Sequence, residues 1–261
     1  MPHLRCDFFS DALALSTSMT VLLPQRTTTQ VGMAGRAPEG PPPVLYLLHG
    51  LSDDDTTWVR RTSLERHVAE LGLAVVMPQV HRSFYADQAA SGRYWTFLAD
   101  ELPDLVHGLF RVSDRREDTF VAGLSMGGYG ALKWALRRPE RFAAAASLSG
   151  AVDVAGLRTR RERPEDPRLF ERVFGDRDPR GTDDDLFALV RDADPATLPA
   201  LGLWCGTEDA LVEDNQALVA ACAQAGVPVT VDIGPGAHDW AYWDARIQDV
   251  LAWLPLRAAA D

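Results

Sequence analysis

From Val44 onward, short runs of apolar and β-branched residues alternate with longer amphipathic stretches. Val44–Leu48, Leu73–Met77, Thr119–Ala122, Ala143–Leu148, Leu201–Cys205 and Val227–Ile233 are runs of strand length. Runs this short and this apolar suit strands buried on both faces of a parallel sheet. Helical spacing fills the gaps at about 62–71, 99–111, 127–138, 213–225 and 241–254. Upstream, residues 13–23 place β-branched residues at roughly alternate positions and lead into a Gly- and Pro-dense loop, Gly32–Pro43. That stretch predicts an antiparallel hairpin strand. Strands alternating with helices predict an α/β chain with a mostly parallel, doubly wound sheet and helices on both faces.

One stretch breaks the alternation. Residues 155–195 are rich in Arg, Asp and Pro, with amphipathic pieces at Leu169–Phe174 and Leu186–Val190. They predict a small, mostly helical excursion above the sheet edge, which either packs on the surface or walls and caps a pocket. No internal repeat is visible, and 1–261 reads as a single domain.

Composition narrows the function. Of 261 residues, 46% are hydrophobic, enough for a large core and too many for a disordered chain. The net charge of −11 disfavours a phosphate backbone as partner, so no nucleic acid is expected. No apolar run approaches the ~18 residues of a membrane span. No membrane partner is therefore expected, and the acidic residues near the N-terminus interrupt the apolar stretch a secretory signal would need, so no such signal is expected either. Cys6, Cys205 and Cys222 are widely spaced and odd in number. They fit free thiols in a reducing, cytoplasmic setting better than a disulfide or metal framework. Asp53-Asp54-Asp55 reads as an exposed turn and Asp183-Asp184-Asp185 as a charged helix start, so no metal site is expected.

The chemistry centres on Gly123-Leu124-Ser125-Met126-Gly127. It follows the strand ending at Ala122 and opens a helical run, the context a nucleophile elbow requires. Glycines two residues either side of Ser125 let the chain make a tight turn, which lifts the hydroxyl clear of the sheet. A serine nucleophile needs a base. His238, after the last predicted strand, stands at the carboxyl end of the sheet, where ligands gather in open α/β folds. His49 reads as structural, His67 and His107 as helix residues, and His81 as a weaker pocket candidate. The carboxylate orienting His238 lies in Gly206-Thr207-Glu208-Asp209, with either acid in reach. Backbone N–H groups of Met126 and Leu51 are candidates for an oxyanion hole. Trp58, Trp95, Phe97, Trp240 and Trp243 flank these loops and are expected to line the substrate pocket. Trp134 and Trp253 sit at core-like spacing.

Together, His49-Gly-Leu-Ser52 with Trp58, Gly123 to Ala131, Ser147-Leu-Ser-Gly150, Gly206 to Asp209 and His238-Asp-Trp240 resemble the esterase D family. That family includes S-formylglutathione hydrolases, tributyrin-type esterases and feruloyl esterases. Arg93 to Phe97 and Glu101 to Pro103 are most similar to its small tributyrin esterase branch. The resemblance spans about 40–255 and does not cover the excursion. It implies an α/β-hydrolase fold, no cofactor, a small-molecule ester or thioester as substrate, and Asp209 rather than Glu208 as the acid.

The expected function is a serine carboxylesterase for short acyl esters, the large rings filling space that a longer chain would need. S-formylglutathione hydrolase and a non-catalytic binding module of the same fold are the alternatives. The sequence leaves room for a homo-oligomer.

Overall fold

The computed structural model describes residues 1–160 and 166–256. Part of the expected excursion, 161–165, and the terminal 257–261 lie outside the described residues. The chain begins with a hairpin in which β1 (His3–Ser10) runs antiparallel to β2 (Leu15–Leu22). After the Gly/Pro loop come β3 (Val44–Leu48), two short helices α1 (Thr57–Arg61) and α2 (Leu64–Val68), and β4 (Ala74–Pro78). Next are α3 (Tyr94–Thr96), a wider π-type turn over Phe97–Glu101, and α4 (Leu102–Leu109). Then β5 (Thr119–Leu124) leads into α5 (Met126–Arg137), followed by β6 (Ala144–Leu148). The excursion carries α6 (Val154–Thr159), α7 (Leu169–Phe174) and α8 (Leu186–Asp192). The chain closes with β7 (Ala200–Gly206), α9 (Val212–Gln224), β8 (Val229–Gly234) and α10 (Trp240–Trp253).

The strands form one sheet in the order β1-β2-β4-β3-β5-β6-β7-β8. Pairing is parallel from β4 to β8, and β2 joins β4 antiparallel. The expected mostly parallel sheet is thus present. β1, whose exposed and half-buried residues alternate along an edge, gave no apolar run to find.

Alternate residues of each central strand feed two cores. Tyr46, Leu48, Val121, Ala145 and Leu203 pack on the face covered by α5 and the excursion. Leu45, Leu47, Phe120, Ala122, Ala146 and Trp204 pack on the other face with Trp58, Leu64 and Ile247 of α1, α2 and α10. Covering both faces is what lets β3 to β6 be buried throughout.

The excursion is tied down from below. Tyr129 OH donates to the Asp184 carbonyl at 2.8 Å, and the Lys133 ammonium lies 2.5 Å from the Asp184 carboxylate. Phe170 packs on Phe84 with ring centres 5.1 Å apart. Asp185 caps α8 by accepting from Phe187 N. Lys133, the one lysine of the chain, is fully buried and also donates to the Tyr85 carbonyl at 2.8 Å.

Candidate active site

The turn from β5 into α5 is as tight as its glycines suggest. Ser125 has φ 54° and ψ −116°, a region that side chains rarely adopt. A Cβ on Gly123 would lie 2.4 Å from the Gly127 carbonyl, and one on Gly127 would lie 2.3 Å from the Leu48 oxygen. No side chain fits at either position. The strained serine is held by its neighbours: Ser125 N donates to Leu148 O at 2.9 Å, and Ala151 N donates to Ser125 O at 3.0 Å.

Two more loops meet this turn from the carboxyl ends of β7 and β8. Their backbones nearly touch, since a Cβ on Gly206 would sit 2.0 Å from the Gly236 oxygen. That contact brings Asp209 against His238. His238 Nδ1 lies 2.8 Å from Asp209 Oδ2, and its Nε2 lies 3.0 Å from Ser125 Oγ. An ionised carboxylate can only accept, so Nδ1 carries the hydrogen and Nε2 is free to accept from the serine hydroxyl. The neighbouring acid is engaged elsewhere: Gly236 N donates to Glu208 Oε2 at 2.6 Å, which clamps the loop and leaves the imidazole to Asp209.

Burial pushes the Asp209 carboxyl up. The hydrogen bond and charge of His238, the Leu211 N–H at 2.8 Å and the Ser149 hydroxyl outweigh that push and hold it below the usual carboxylate range. Ser149, fully buried with φ 50°, also accepts from Trp243 Nε1 at 3.1 Å.

The loop after β3 is fixed by its own contacts. Val80 N donates to His49 Nε2 at 3.1 Å, so His49 Nδ1 bears the hydrogen and donates to Gly50 O at 2.7 Å. Burial lowers the pKa of this imidazole, keeping it neutral. Tyr85 OH donates to His49 O, and Trp58 Nε1 to Leu48 O. Leu51 and Met126 both line the cleft beside Ser125. Among the described residues neither backbone N–H has a protein acceptor.

The cleft encloses about 600 Å³ and is lined by Gly50–Asp53, Arg82, Phe84, Leu124–Met126, Ala151, His238–Trp240 and Trp243. Of the five expected pocket aromatics, it brings in Trp240 and Trp243 and leaves out the others. Trp58 is buried under the loop, its ring edge-on to Trp240. Trp95 lies beneath Arg137, whose guanidinium stacks 3.9 Å from the ring centre. Phe97 is buried against Phe8 of β1. Lying near a motif in sequence did not fix where these rings point. His81 is likewise absent from the cleft and meets the Tyr94 ring instead. Phe84 and Arg82 take the vacated roles. His81, Phe84 and Tyr85 each have φ 50°, a backbone path that no residue in this stretch signals.

Asp53–Asp55 is not an exposed turn. Asp55 is buried and accepts from the Ser18 and Thr20 hydroxyls, while Asp53 accepts from Gly50 N. Asp54 accepts from Thr56 and Thr57. The three carboxylates serve different partners, and among the described residues no group of three or more His, Cys, Asp or Glu is arranged to hold a metal. None of the described residues of 155–195 lines the cleft; the excursion braces it through Phe170 on Phe84 and through Asp166, which lies 3.2 Å from the Arg82 guanidinium. Among the described residues, no helix is long and apolar enough to cross a membrane.

Comparison with known proteins identifies the family. The family model described as "Putative esterase" matches residues 10–254. An acetyl esterase of Caldicellulosiruptor saccharolyticus is 29% identical over 268 residues, covering 97% of this chain and 98% of that protein. The substrate-bound structure of FphF, a fluorophosphonate-binding serine hydrolase of Staphylococcus aureus, is 34% identical with a TM-score of 0.86, covering 97% of this chain and 98% of the other. S-formylglutathione hydrolase FrmB from the same organism is 34% identical with a TM-score of 0.83 and the same coverage. The fold is that of the α/β-hydrolases, and the chain belongs to the esterase family that this model describes, as a carboxylic ester hydrolase.

Proposed function

We propose that this esterase hydrolyses short-chain acyl esters through Ser125, His238 and Asp209 and a covalent acyl-enzyme. The observation that carries the reading is the continuous pair of contacts from Asp209 Oδ2 through His238 to Ser125 Oγ, at 2.8 and 3.0 Å. His238 Nε2 takes the hydroxyl proton as Ser125 Oγ bonds to the ester carbonyl carbon. The carbonyl oxygen gains the electron pair and rests on the N–H groups of Leu51 and Met126. The imidazolium, stabilised by Asp209, returns its proton to the departing alcohol. Water then repeats the sequence and releases the acid.

The preference for short acyl groups rests on Phe84 and Trp243, the large rings beside Ser125, and on the likeness to an acetyl esterase. The likeness to FrmB supports a second reading, in which the substrate is the thioester S-formylglutathione. The same triad would serve it. A cytoplasmic setting is part of the proposal, in keeping with three free cysteines.

Ser125→Ala is expected to lower kcat by about 10³-fold or more while the protein stays folded. A fluorophosphonate probe should label Ser125, and a label mapped to another serine would overturn the assignment. Hydrolysis rates across an acyl-chain series, run beside S-formylglutathione, separate the two substrate readings.

A further inference from the structure

The sheet ends at β1, and among the described residues no strand pairs with its outer edge. The strand pairs with β2 over eight residues without a bulge. It contains neither the proline nor the lysine with which proteins commonly blunt such edges. Leu23 N donates to Pro2 O, and on the far side of β2 Gln79 N donates to Ser18 O. Antiparallel ladders alternate strictly, so these two bonds fix the direction of the rest. Leu4, Cys6 and Phe8 turn their N–H and C=O groups toward β2. His3, Arg5, Asp7 and Phe9 turn theirs outward. The same four are the exposed residues of the strand, Phe9 at 62%.

We propose that this edge pairs antiparallel with the same edge of a second copy, across a two-fold axis at Cys6. The two eight-stranded sheets then run on as one. The choice of axis follows from charge. Outward groups can bond only outward groups, which puts a central axis at Arg5, Cys6 or Asp7. An axis at Arg5 sets Arg5 against itself, and one at Asp7 sets Asp7 against itself; like charges directly opposite are destabilising. An axis at Cys6 sets Arg5 opposite Asp7 of the second copy, twice, and His3 opposite the exposed Phe9. On the inner face it joins Leu4 to Phe8 and Cys6 to Cys6, extending an apolar stripe in which Cys6 and Phe8 already border the main core. The surface is self-complementary, as a two-fold interface must be.

A single strand pair is a small contact, so the dimer should be concentration-dependent. Three measurements test it. Light scattering after size exclusion, over about a hundredfold range of concentration, should show mass rising toward twice that of the chain. Asp7→Arg and Arg5→Asp should each be monomeric alone, because each sets like charges opposite. Mixed one to one they should recover the dimer, since every pair is then opposite in sign. Circular dichroism and ester hydrolysis report whether each variant is folded; Arg5 also lies 3.6 Å from the buried Asp55 carboxylate, so if Arg5→Asp fails to fold, Asp7→Arg alone decides. The third measurement uses the unaltered residues. A non-hydrogen-bonded pair brings Cα atoms to ~4.5 Å, within the ~4.4–6.8 Å span of a disulfide. Copper phenanthroline should therefore take one electron from each Cys6 thiolate and join the two sulfurs. The product should run at twice the chain mass on a non-reducing gel and be absent in Cys6→Ser. Cys205 and Cys222 are buried and should not react. A protein that stays monomeric throughout, a dimer unaffected by both charge changes, or a dimer that does not cross-link at Cys6 would overturn the proposal.

Discussion

Trp243 is hydrogen-bonded to Ser149, the same buried serine that supports the Asp209 carboxylate. Its indole N–H donates to Ser149 Oγ at 3.1 Å, and its ring meets the His238 ring edge-on, 4.9 Å between centres. The Ser149 hydroxyl is also a partner of Asp209, where it helps to hold the carboxyl below the usual carboxylate range. One tryptophan thus contacts the proposed base directly and the proposed acid through a buried serine.

Removing that hydroxyl should be felt in the chemical step. A hydrogen bond to a charged group is worth about 1.5–3 kcal/mol, or on the order of 10- to 100-fold in rate if it is fully expressed. Ser149→Ala is expected to lower kcat within that range with little change in KM. It should also raise the Asp209 carboxyl toward the ordinary carboxylate range. Steady-state kinetics would show the first and a carboxyl titration followed by NMR the second, and an unchanged kcat would leave Ser149 a packing residue only.

Asp209 and Glu208 should separate sharply. Asp209→Asn removes the charge that steadies the imidazolium and is expected to cost about 10²–10⁴-fold in kcat. Glu208→Gln keeps an acceptor for Gly236 N and should cost far less. The pH dependence of stability follows from the same carboxyl. Its folded-state pKa is depressed, so it stabilises the fold above the ordinary carboxylate range, ~3.9, and that contribution fades as pH falls through the lower folded value. Denaturant titrations of wild type and Asp209→Asn at several pH values should show their difference shrinking in acid.

How much of this was legible in the sequence depended on how local the cause was. The elbow could be read because its steric demand falls on Gly123 and Gly127 themselves, next to Ser125. The central strands could be read because burial on both faces leaves no polar alternation. The pocket could not. Trp58, Trp95 and Phe97 sit near the motifs along the chain but turn into the core, while Phe84 reaches the cleft along a positive-φ path that ordinary side chains conceal. Ser149 was inside a recognised motif, yet its role depends on Trp243, 94 residues away. Asp55 looked exposed until the Ser18 and Thr20 hydroxyls of β2 came over it.

Lys133 and Asp184 form a buried pair whose halves should not be separable. Lys133 is fully buried, its ammonium 5.1 Å from the Trp95 ring centre, and burial lowers its pKa despite Asp184. Removing one partner of a buried pair typically costs ~3–5 kcal/mol, because the other charge is stranded. Among the described residues, Lys133→Met leaves Asp184 only the Arg177 guanidinium at 3.7 Å and should destabilise the protein by up to about that much, and Lys133→Met with Asp184→Leu should recover most of the loss. Chemical denaturation of the single and double variants decides it; a double variant no better than the single would mean that the pair itself, not the stranded charge, supplies the stability.

Phe84 should set the length of acyl group accepted. Its ring lines the cleft and is backed by Tyr129 and Phe170. Phe84→Leu opens space where a chain could extend, and each further buried methylene is worth about 0.8 kcal/mol. The optimum in a p-nitrophenyl ester series should move to longer chains by one or two carbons, on the order of a few-fold in kcat/KM per carbon. An optimum that does not move would place the limit elsewhere in the cleft.

The backbone at Ser125 has a consequence for the lifetime of the molecule. A residue with a side chain at φ 54° and ψ −116° sits at a cost of ~1–3 kcal/mol, met by the packing around it. Glycine adopts that geometry freely. Ser125→Gly, which deletes the nucleophile, should therefore melt later than the wild-type protein. The active form would be the less durable of the two, its readiness to react and its tendency to unfold residing in the same pair of backbone angles.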